Sequence, residues 1–469
     1  MSVENSKNLW ILTEERPKID VLKQIILKFT GDYKIAASAG GDMRIVPILN
    51  NRKFSFTYEL TGFHCDRINK ILIKTVSGHS SFVDYLIFYQ EKEPNPSADI
   101  PIYAIEETKT DDSESRNTGV YQRCSKFVYL DIFYPDTRKI MLYNLHIKQK
   151  KSQTETNIFG TRMLLTLNVE ILGKTIENEN DKPFLSIDEL IEFKGSMREP
   201  PAGNVPINIT KNNDTIYISG RLYKSGGLSH DPSIGALSII AATLRKLGWH
   251  GKIVITEHGL SQKNIGSKNK FILIANKINI LIDGLVVPKT EQHKGYWYYD
   301  IKGEKLGTIF IHLLVENFTD GRSIYENHAG CERGYFLTSS DEPITIKKYT
   351  NRSEYKKGDK SKIINLPDLT LLDPVRKEIL NIEGEMFGNK LKGIEQLSLF
   401  GAFENIYIKR HYPDYAITRS VVLYGGDKGN ETAETEVGFV LESDGNLILG
   451  VKAPEIFRDA IKRLRDFWS

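Results

Sequence analysis

The chain has 469 residues, which is enough for about two or three domains that each bury a hydrophobic core. Hydrophobic residues make up 40% of it and charged residues 26%, and this composition excludes a disordered or fibrous protein. The net charge is only +3, so the surface is not uniformly cationic, although local basic patches that contact nucleic acid remain compatible with it.

Cysteine usage and hydropathy indicate a reduced, soluble protein. The cysteines, Cys65, Cys124 and Cys331, are too few and too scattered for a disulfide framework, and the histidines form no zinc-ligand spacing. The apolar run at 9–12 is too short for a signal peptide, and the stretch 232–244 is shorter than the roughly 20 residues of a membrane-spanning helix. We therefore expect a cytoplasmic protein that does not associate with a membrane.

The first 200 residues have the pattern of strands with helices around them. Pro17 begins a segment with apolar residues at helical spacing that ends near Gly31. Alternating apolar residues from 54 to 60 predict a strand that stops at Gly62. Further apolar segments predict strands at 71–76, 82–89 and 102–109. This order predicts a mixed sheet with helices before and after it.

A stretch rich in proline and glycine, 195–206, is the best linker candidate, so we divide the chain into domains 1–200 and 201–469. In the second domain Asp231 begins a predicted helix that continues through 234–247. An amphipathic helix at 454–468 closes the chain. Strands are predicted at 252–256, 271–275, 278–282 and 308–315.

An acidic pair accompanies two predicted strands of the first domain. Asp84 lies in an apolar strand, where a charged side chain is costly unless it is paired or bound to a metal. The next strand ends with Glu106, Glu107, Thr108 and Lys109, and because side chains alternate, Glu107 and Lys109 share one face. A single hairpin returns this strand beside Asp84, so two carboxylates and an amine converge.

This set of groups suits phosphodiester hydrolysis. Carboxylate oxygens, here from Asp84 and Glu107, are preferred ligands of Mg²⁺ or Mn²⁺, which lower the pKa of a bound water and stabilise developing negative charge. Lys109 then orients that water or neutralises the charge. The alternative is a solvated strand end without a catalytic role, because the spacing by itself is not specific.

A second acidic set lies near the C-terminus. Asp368 follows a proline, and Glu383 and Glu385 lie on one face of the next predicted strand, again one short hairpin away. Asp368 and Glu383 are the predicted metal ligands, and a helix is expected to follow, with Lys390 and Lys392 close by. Glu385 stands where the first set has a lysine, which means either that water is activated without that lysine or that the site is inactive. The alternative is a surface hairpin with acidic ends.

At these residues the sequence resembles the PD-(D/E)XK nuclease superfamily, and within it the type II restriction endonucleases. Asp84 with Glu107 and Lys109 is similar to the D…ExK form, with Val83 in place of the proline, and Asp368 with the 383–385 segment is similar to the PD…ExE form. The middle of the chain resembles no family. The resemblance implies an α/β (α+β) fold of mixed sheets flanked by helices, restriction-endonuclease-like, with two nuclease-like cores, and Mg²⁺-dependent cleavage of DNA.

Other polar residues are supporting candidates. Glu59, on the strand before, adds a further acid or is simply a solvated strand charge, and Gln122 occupies a position where related nucleases often place a polar helix residue. A basic segment with interleaved tyrosines precedes Asp368, and its lysines are candidates for phosphate contacts unless it is only a solvated loop. Its basic residues are Lys347, Lys348, Arg352, Lys356, Lys357, Lys360 and Lys362.

These features lead to one preferred function and two alternatives. The preferred function is site-specific, Mg²⁺-dependent cleavage of double-stranded DNA by a restriction enzyme, acting as a monomer if both sites cut and as a homodimer if one does. The alternatives are a repair or recombination nuclease and a catalytically inactive DNA-binding protein. No Walker loop, GxGxxG or GxSxG motif is present, which disfavours nucleotide-driven motors, dinucleotide enzymes and α/β-hydrolases.

Overall fold

A computed structural model describes most of the chain. The described residues are 6–78, 83–108, 125–143, 155–174, 180–197, 207–219, 231–265, 269–289, 299–327, 333–347, 364–426 and 434–469.

Strands occur along the whole described chain. In chain order they are β1 (Lys7–Thr13), β2 (Ala37–Asn50), β3 (Lys53–Cys65), β4 (Ile68–Thr75), β5 (Ser77–Gly78), β6 (Tyr85–Gln90), β7 (Tyr103–Thr108), β8 (Arg138–Tyr143), β9 (Val169–Leu172), β10 (Asn208–Asn212), β11 (Thr215–Ser219), β12 (Lys252–Thr256), β13 (Ile280–Ile282), β14 (Tyr299–Asp300), β15 (Arg322–Glu326), β16 (Arg333–Leu337), β17 (Pro343–Lys347), β18 (Leu369–Asp373), β19 (Glu378–Met386), β20 (Ala416–Tyr424), β21 (Val437–Leu441) and β22 (Leu447–Leu449).

Helices lie between these strands. They are α1 (Ile19–Asp32), α2 (Ser125–Phe133), α3 (Glu155–Thr166), α4 (Ile187–Ser196), α5 (Asp231–Lys246), α6 (Gln262–Ile265), α7 (Asn269–Lys277), α8 (Lys305–Phe318), α9 (Lys390–Leu397) and α10 (Glu455–Phe467). Short helical turns follow α9 over 398–411 and include a π-helical turn, Glu404–Ile408. Within the described ranges, no helix is both long enough and apolar enough to cross a membrane.

The chain forms two compact units. Unit 1 comprises residues 1–77, 89–93 and 300–469, and unit 2 comprises 78–88 and 94–299. These units group the chain differently from the division at residue 200, because the first and last segments of the chain belong to the same unit. The prediction of mixed sheets flanked by helices is confirmed in both units.

Unit 1 contains two larger sheets. In one, β2, β3 and β4 are antiparallel neighbours and β1 pairs with β4 in parallel. The other has the order β15-β18-β19-β20-β21-β22, in which β19, β20 and β21 are parallel neighbours and the other pairs are antiparallel. Helix α8 packs on β19 and β20, and α9 packs on the same two strands. Since Gly384 faces α8 and Glu385 faces α9, the two helices lie on opposite faces of this sheet.

Unit 2 contains two sets of four hydrogen-bonded strands, β6 to β9 and β10 to β13. Strand β6 is antiparallel to β7, which is parallel to β8, which is parallel to β9. Strands β10 to β13 follow in order, with one antiparallel and two parallel pairs. Helix α5 packs against α2, α3 and α7, and its apolar residues are buried from 236 to 244.

Two predicted strands are wrong. The segment 271–275 lies in α7 and the segment 308–315 lies in α8. Nearly every residue of α8 is buried, so its sequence is apolar on all sides and lacks the one-sided pattern of a surface helix. A short apolar run of this kind is compatible with a buried strand or a buried helix, and only its surroundings decide between them.

An ion-pair cluster in unit 1 holds the C-terminal half of α8. Arg16 donates to Glu326 at 2.6 Å and to Glu316 at 2.8 Å, and Lys18 also bonds Glu326 at 2.9 Å. His312, which is fully buried on α8, lies 3.0 Å from Glu316. Burial alone would raise the pKa of Glu326, but the charges of Arg16 and Lys18 outweigh it and hold that pKa well below its usual value. The cluster is therefore neutralised internally and stabilises the position of α8.

We predict that Arg16→Met lowers the free energy of unfolding by about 3 kcal/mol at pH 7, because it leaves Glu316 and Glu326 partly buried without their main counter-charge. A carboxyl group whose pKa is lowered in the folded state stabilises the protein at pH values above its usual pKa of 4.5. This contribution is lost as the pH falls through the folded-state pKa. Urea denaturation at pH 7 and pH 3 measures both effects.

Arg44→Met is the matched control. Arg44 pairs with Asp42 at 3.8 Å in an exposed position, so its loss should change stability by less than about 0.5 kcal/mol. Equal losses for the two variants would contradict a stabilising role for the buried cluster.

Candidate functional site

The hairpin β18–β19 brings together the acidic residues near the C-terminus. Asp368 directly precedes β18, and Leu369 pairs with Ile382 on β19. The backbone N–H of Gly384 donates to Asp368 Oδ2 at 2.9 Å, and Asp368 N donates to the carbonyl of Ile382 at 3.0 Å. These bonds seat the Asp368 carboxylate next to the 383–385 segment. The predicted hairpin and the predicted helix after it, α9, are both confirmed.

Negative charge exceeds positive charge at this hairpin. Burial raises the pKa of Asp368 to about 7; the Gly384 N–H opposes the rise, and the charges of Glu304 and Glu385 add to it. Burial raises the pKa of Glu383 to about 9, with further contributions from the charges of Asp368 and Glu385. Burial is thus the main cause of both raised pKa values, and the neighbouring carboxylates add to it.

One lysine partly offsets this charge. Lys392, on α9, bonds Glu385 Oε1, and this hydrogen bond raises the pKa of the ammonium group. Glu385 is buried, whereas the Lys392 side chain is 59% exposed. Asn389 also donates to Glu385, at 3.4 Å. The lysine therefore stands at the edge of the acidic cluster, which comprises Asp368, Glu383 and Glu385.

Helix α8 contributes two residues that the sequence did not reveal. Glu304 directly precedes α8, and its charge raises the pKa of both Asp368 and Glu383. Thr308 lies one turn further on, on the same side of the helix, and is buried beside Gly384. Neither follows from the sequence pattern, because the apolar run 308–315 predicts a strand and not the helix α8 that brings them to the hairpin. The only local sequence signal was the acidic side chain just before an apolar run.

In unit 2 the hairpin β6–β7 places Asp84 beside Glu107. Asp84 directly precedes β6, rather than lying within it, and its Oδ2 accepts the backbone N–H of Glu107 at 2.7 Å. The Glu107 side chain accepts a hydrogen bond from the Tyr85 hydroxyl at 2.9 Å. Glu106 points to the opposite face of β7 and bonds Lys126 on α2 at 3.0 Å. Lys109 lies outside the described residues.

The two hairpins share their strand order and directions. In β6-β7-β8-β9 and in β18-β19-β20-β21, one antiparallel pair is followed by two parallel pairs. In each, an aspartate directly precedes the first strand and accepts a backbone N–H from the second. Tyr85 pairs with Ile105 as Leu369 pairs with Ile382. By this register Glu106, not Glu107, occupies the position of Glu383, and Glu107 occupies that of Gly384.

The remaining predicted residues lie elsewhere or are not described. Glu59 lies on β3 and pairs with Lys70 at 2.8 Å. Lys347 ends β17, and nothing is described of its side chain. Gln122 and the rest of the basic segment, Lys348, Arg352, Lys356, Lys357, Lys360 and Lys362, lie outside the described residues.

The acidic cluster of unit 1 has the donor chemistry of a divalent-cation site. Within the described ranges, no three His, Cys, Asp or Glu side chains already surround one point as metal ligands. Mg²⁺, however, takes only one or two protein carboxylates and keeps several waters, and Asp368 with Glu383 provides that number. An ion there would offset the repulsion among the carboxylates, which adds to the raised pKa values of Asp368 and Glu383. The residues therefore fit such an ion.

A comparison of this chain with protein-family models, with curated proteins and with solved structures finds no match.

We predict that Asp368→Asn raises the free energy of unfolding at pH 8 in EDTA by about 1–2 kcal/mol, because it removes a half-buried charge that neighbouring carboxylates repel. A carboxyl pKa that is raised in the folded state favours folding at low pH, and this contribution is lost as pH rises through the folded-state value of about 7. The gain should therefore be larger at pH 8 than at pH 5. Urea denaturation at both pH values measures it.

The matched control is Asp42→Asn, at an aspartate that is 91% exposed, which should leave stability nearly unchanged at both pH values. If Asp368→Asn were less stable than the natural chain at pH 8, the charge at the β18–β19 hairpin would be balanced after all.

Proposed function

We propose that this protein is a DNA endonuclease that uses Mg²⁺ or Mn²⁺ to hydrolyse phosphodiester bonds of double-stranded DNA, as a restriction enzyme does. The observation that carries the proposal is geometric: Asp368, Glu383 and Glu385 meet at the end of one hairpin, where Gly384 N–H bonds Asp368 and Lys392 bonds Glu385. The pKa values of Asp368 and Glu383 are raised by burial and by neighbouring carboxylates, as is typical of groups at functional sites.

The residues of the acidic cluster then have distinct roles. Asp368 and Glu383 hold the ion, and the hydrogen bond from Gly384 N–H orients Asp368 toward it. A bound divalent ion lowers the pKa of a water and stabilises negative charge on the phosphate. Lys392, which bonds Glu385 and is 59% exposed, is the amine proposed to neutralise the phosphate in place of the lysine that Glu385 replaces. This favours an active site over the inactive alternative.

The proposal extends to two nuclease-like cores, one in each unit. It rests on the shared strand order and on the aspartate that precedes each hairpin. In unit 2 the proposed residues are Asp84, Glu107 and Lys109, and Glu106 is added because its register position matches that of Glu383. Lys126 on α2 bonds Glu106, whereas Lys392 on α9 bonds Glu385, two residues beyond the position that matches Glu106. The basic segment 347–362 remains the proposed phosphate contact.

Plasmid cleavage tests this proposal. In Mg²⁺ the natural chain should give discrete fragments, and in EDTA none. Each site reaches one scissile phosphate, so Asp368→Ala should only nick the plasmid and Asp84→Ala should nick the opposite strand. Asp42→Ala, at an exposed site, is the control and should cut both strands.

Binding without cleavage under every metal condition would favour the inactive DNA-binding alternative, and smeared products would favour a processive repair nuclease. Double-strand breaks by Asp368→Ala at the natural rate would remove the unit 1 site from the reaction. The enzyme would then act as a dimer through unit 2, instead of as a monomer.

The register comparison generates a separate prediction. In the Asp368→Ala background, Glu106→Gln should abolish the remaining nick, with a loss of at least about 100-fold in rate. Nicking assays in Mg²⁺ measure it, and Glu170→Gln is the control, since that half-exposed β9 residue pairs with Arg138. A nick that persists would show that Glu106 serves only as the partner of Lys126.

A further inference from the structure

We propose that Thr308 is a positioning residue of the unit 1 site, whose hydroxyl holds a water molecule that the bound divalent cation retains. The inference rests on the proposed function and names a group that the motif Asp368…Glu383–Glu385 does not contain. Thr308 comes from α8, far along the chain from the β18–β19 hairpin.

The Thr308 hydroxyl is buried and has no hydrogen-bond partner in the described part of the chain. The residue is only 1% exposed. More than about nine in ten buried polar groups in proteins have a partner, so an orphaned hydroxyl requires an explanation. A bound water that is present only with its ion provides one.

Other helix threonines show what the hydroxyl would otherwise do. Thr166 on α3 and Thr243 on α5, and also Thr319 directly after α8, each donate to the backbone carbonyl four residues earlier, at 2.8, 2.8 and 2.7 Å. This local bond satisfies a buried hydroxyl without any other group. Thr308 does not make it, and its hydroxyl lies instead next to Gly384 of the acidic cluster hairpin.

The absence of a side chain at Gly384 lets the Thr308 hydroxyl pack against the strand beside the Asp368 carboxylate. A Cβ at Gly384 would lie under 3.0 Å from Thr308 Oγ1 and 3.2 Å from Asp368 Oδ2. Any other residue would therefore fill the point where the hydroxyl and the carboxylate approach each other. The close approach of the Thr308 hydroxyl and the Asp368 carboxylate explains why residue 384, between Glu383 and Glu385, is glycine.

The chemistry of Mg²⁺ suits a water that is bound to the ion and also hydrogen-bonded to a protein side chain. Mg²⁺ binds few protein groups directly and dehydrates reluctantly, so its waters need partners of their own. A metal-bound water donates hydrogen bonds through its two O–H groups. The oxygen of the Thr308 hydroxyl can accept one of them. Removal of a group that hydrogen-bonds to a metal ligand typically weakens metal affinity 10- to 100-fold.

The test is Mg²⁺ binding to the full chain, measured by isothermal titration calorimetry with MgCl₂ alone. It is done in the Asp84→Asn background, so that the unit 1 site dominates. Thr308→Val keeps the shape and removes the hydroxyl, and we expect it to weaken Mg²⁺ binding about tenfold. Thr308→Ser restores the hydroxyl and should restore affinity. In EDTA, Thr308→Val should melt at a temperature no lower than its parent, because it removes a buried polar group without a partner.

Thr418→Val is the matched control. The Thr418 hydroxyl is also buried and without a partner in the described part of the chain, but it lies on β20 opposite Leu380, away from the acidic residues. It should keep full Mg²⁺ affinity. If Thr308→Val binds Mg²⁺ as tightly as its parent, the inference is overturned while the proposed function stands. If the parent binds no Mg²⁺ and no variant cleaves DNA, the proposed function fails and this inference fails with it.

Discussion

At the end of the β18–β19 hairpin, the carboxyl groups of Asp368, Glu383 and Glu385 outnumber the one lysine that bonds them, Lys392. This imbalance is the constraint on which the proposed site of unit 1 depends. A second acidic cluster, Glu316 with Glu326, lies in the same unit and shows the opposite behaviour. There Arg16 and Lys18 neutralise the carboxylates, and the pKa of Glu326 falls. At Asp368 burial and like charges raise the pKa instead. The same residue type is thus structural where counter-charges are present and a candidate for function where they are absent.

The elements around this charge have to be held firmly, because repelling carboxylates tend to separate. Backbone hydrogen bonds of the hairpin hold Asp368 from one side, and α9 holds Glu385 through Lys392 from the other. Helix α8 approaches from the opposite face of the sheet and is anchored at its far end by the ion-pair cluster. Close contact at Gly384 and at Gly393, where a Cβ would lie 3.2 Å from Glu385 Cγ, lets both helices reach the strand. Stability gained elsewhere in the unit thereby offsets what the acidic cluster loses.

The hairpin of unit 2 has the same strand order but a different distribution of acids. Glu106 and Glu107 leave β7 on opposite faces, toward Lys126 and Tyr85, whereas Glu383 and Glu385 share one face of β19. The two proposed sites are thus built on one strand pattern with different side chains. Under the proposed function, this difference would let each hairpin hold its ion with its own set of side chains.

The sequence alone determined the features that arise from neighbouring residues. Helical spacing after Pro17 predicted α1, apolar segments separated by a turn predicted both hairpins, and the spacing of Asp368 to Glu383 predicted that they would meet. Only the tertiary structure decided that the apolar runs at 271–275 and 308–315 are helices, because a fully buried segment has no polar face to reveal its period. It also decided the strand register, which gives Glu106 the position that Glu383 has in the other hairpin, and the approach of Glu304 and Thr308 to the acidic cluster. A register is set by the pairing of two strands, and such an approach is set by packing between distant segments, so neither is contained in the local pattern of the chain.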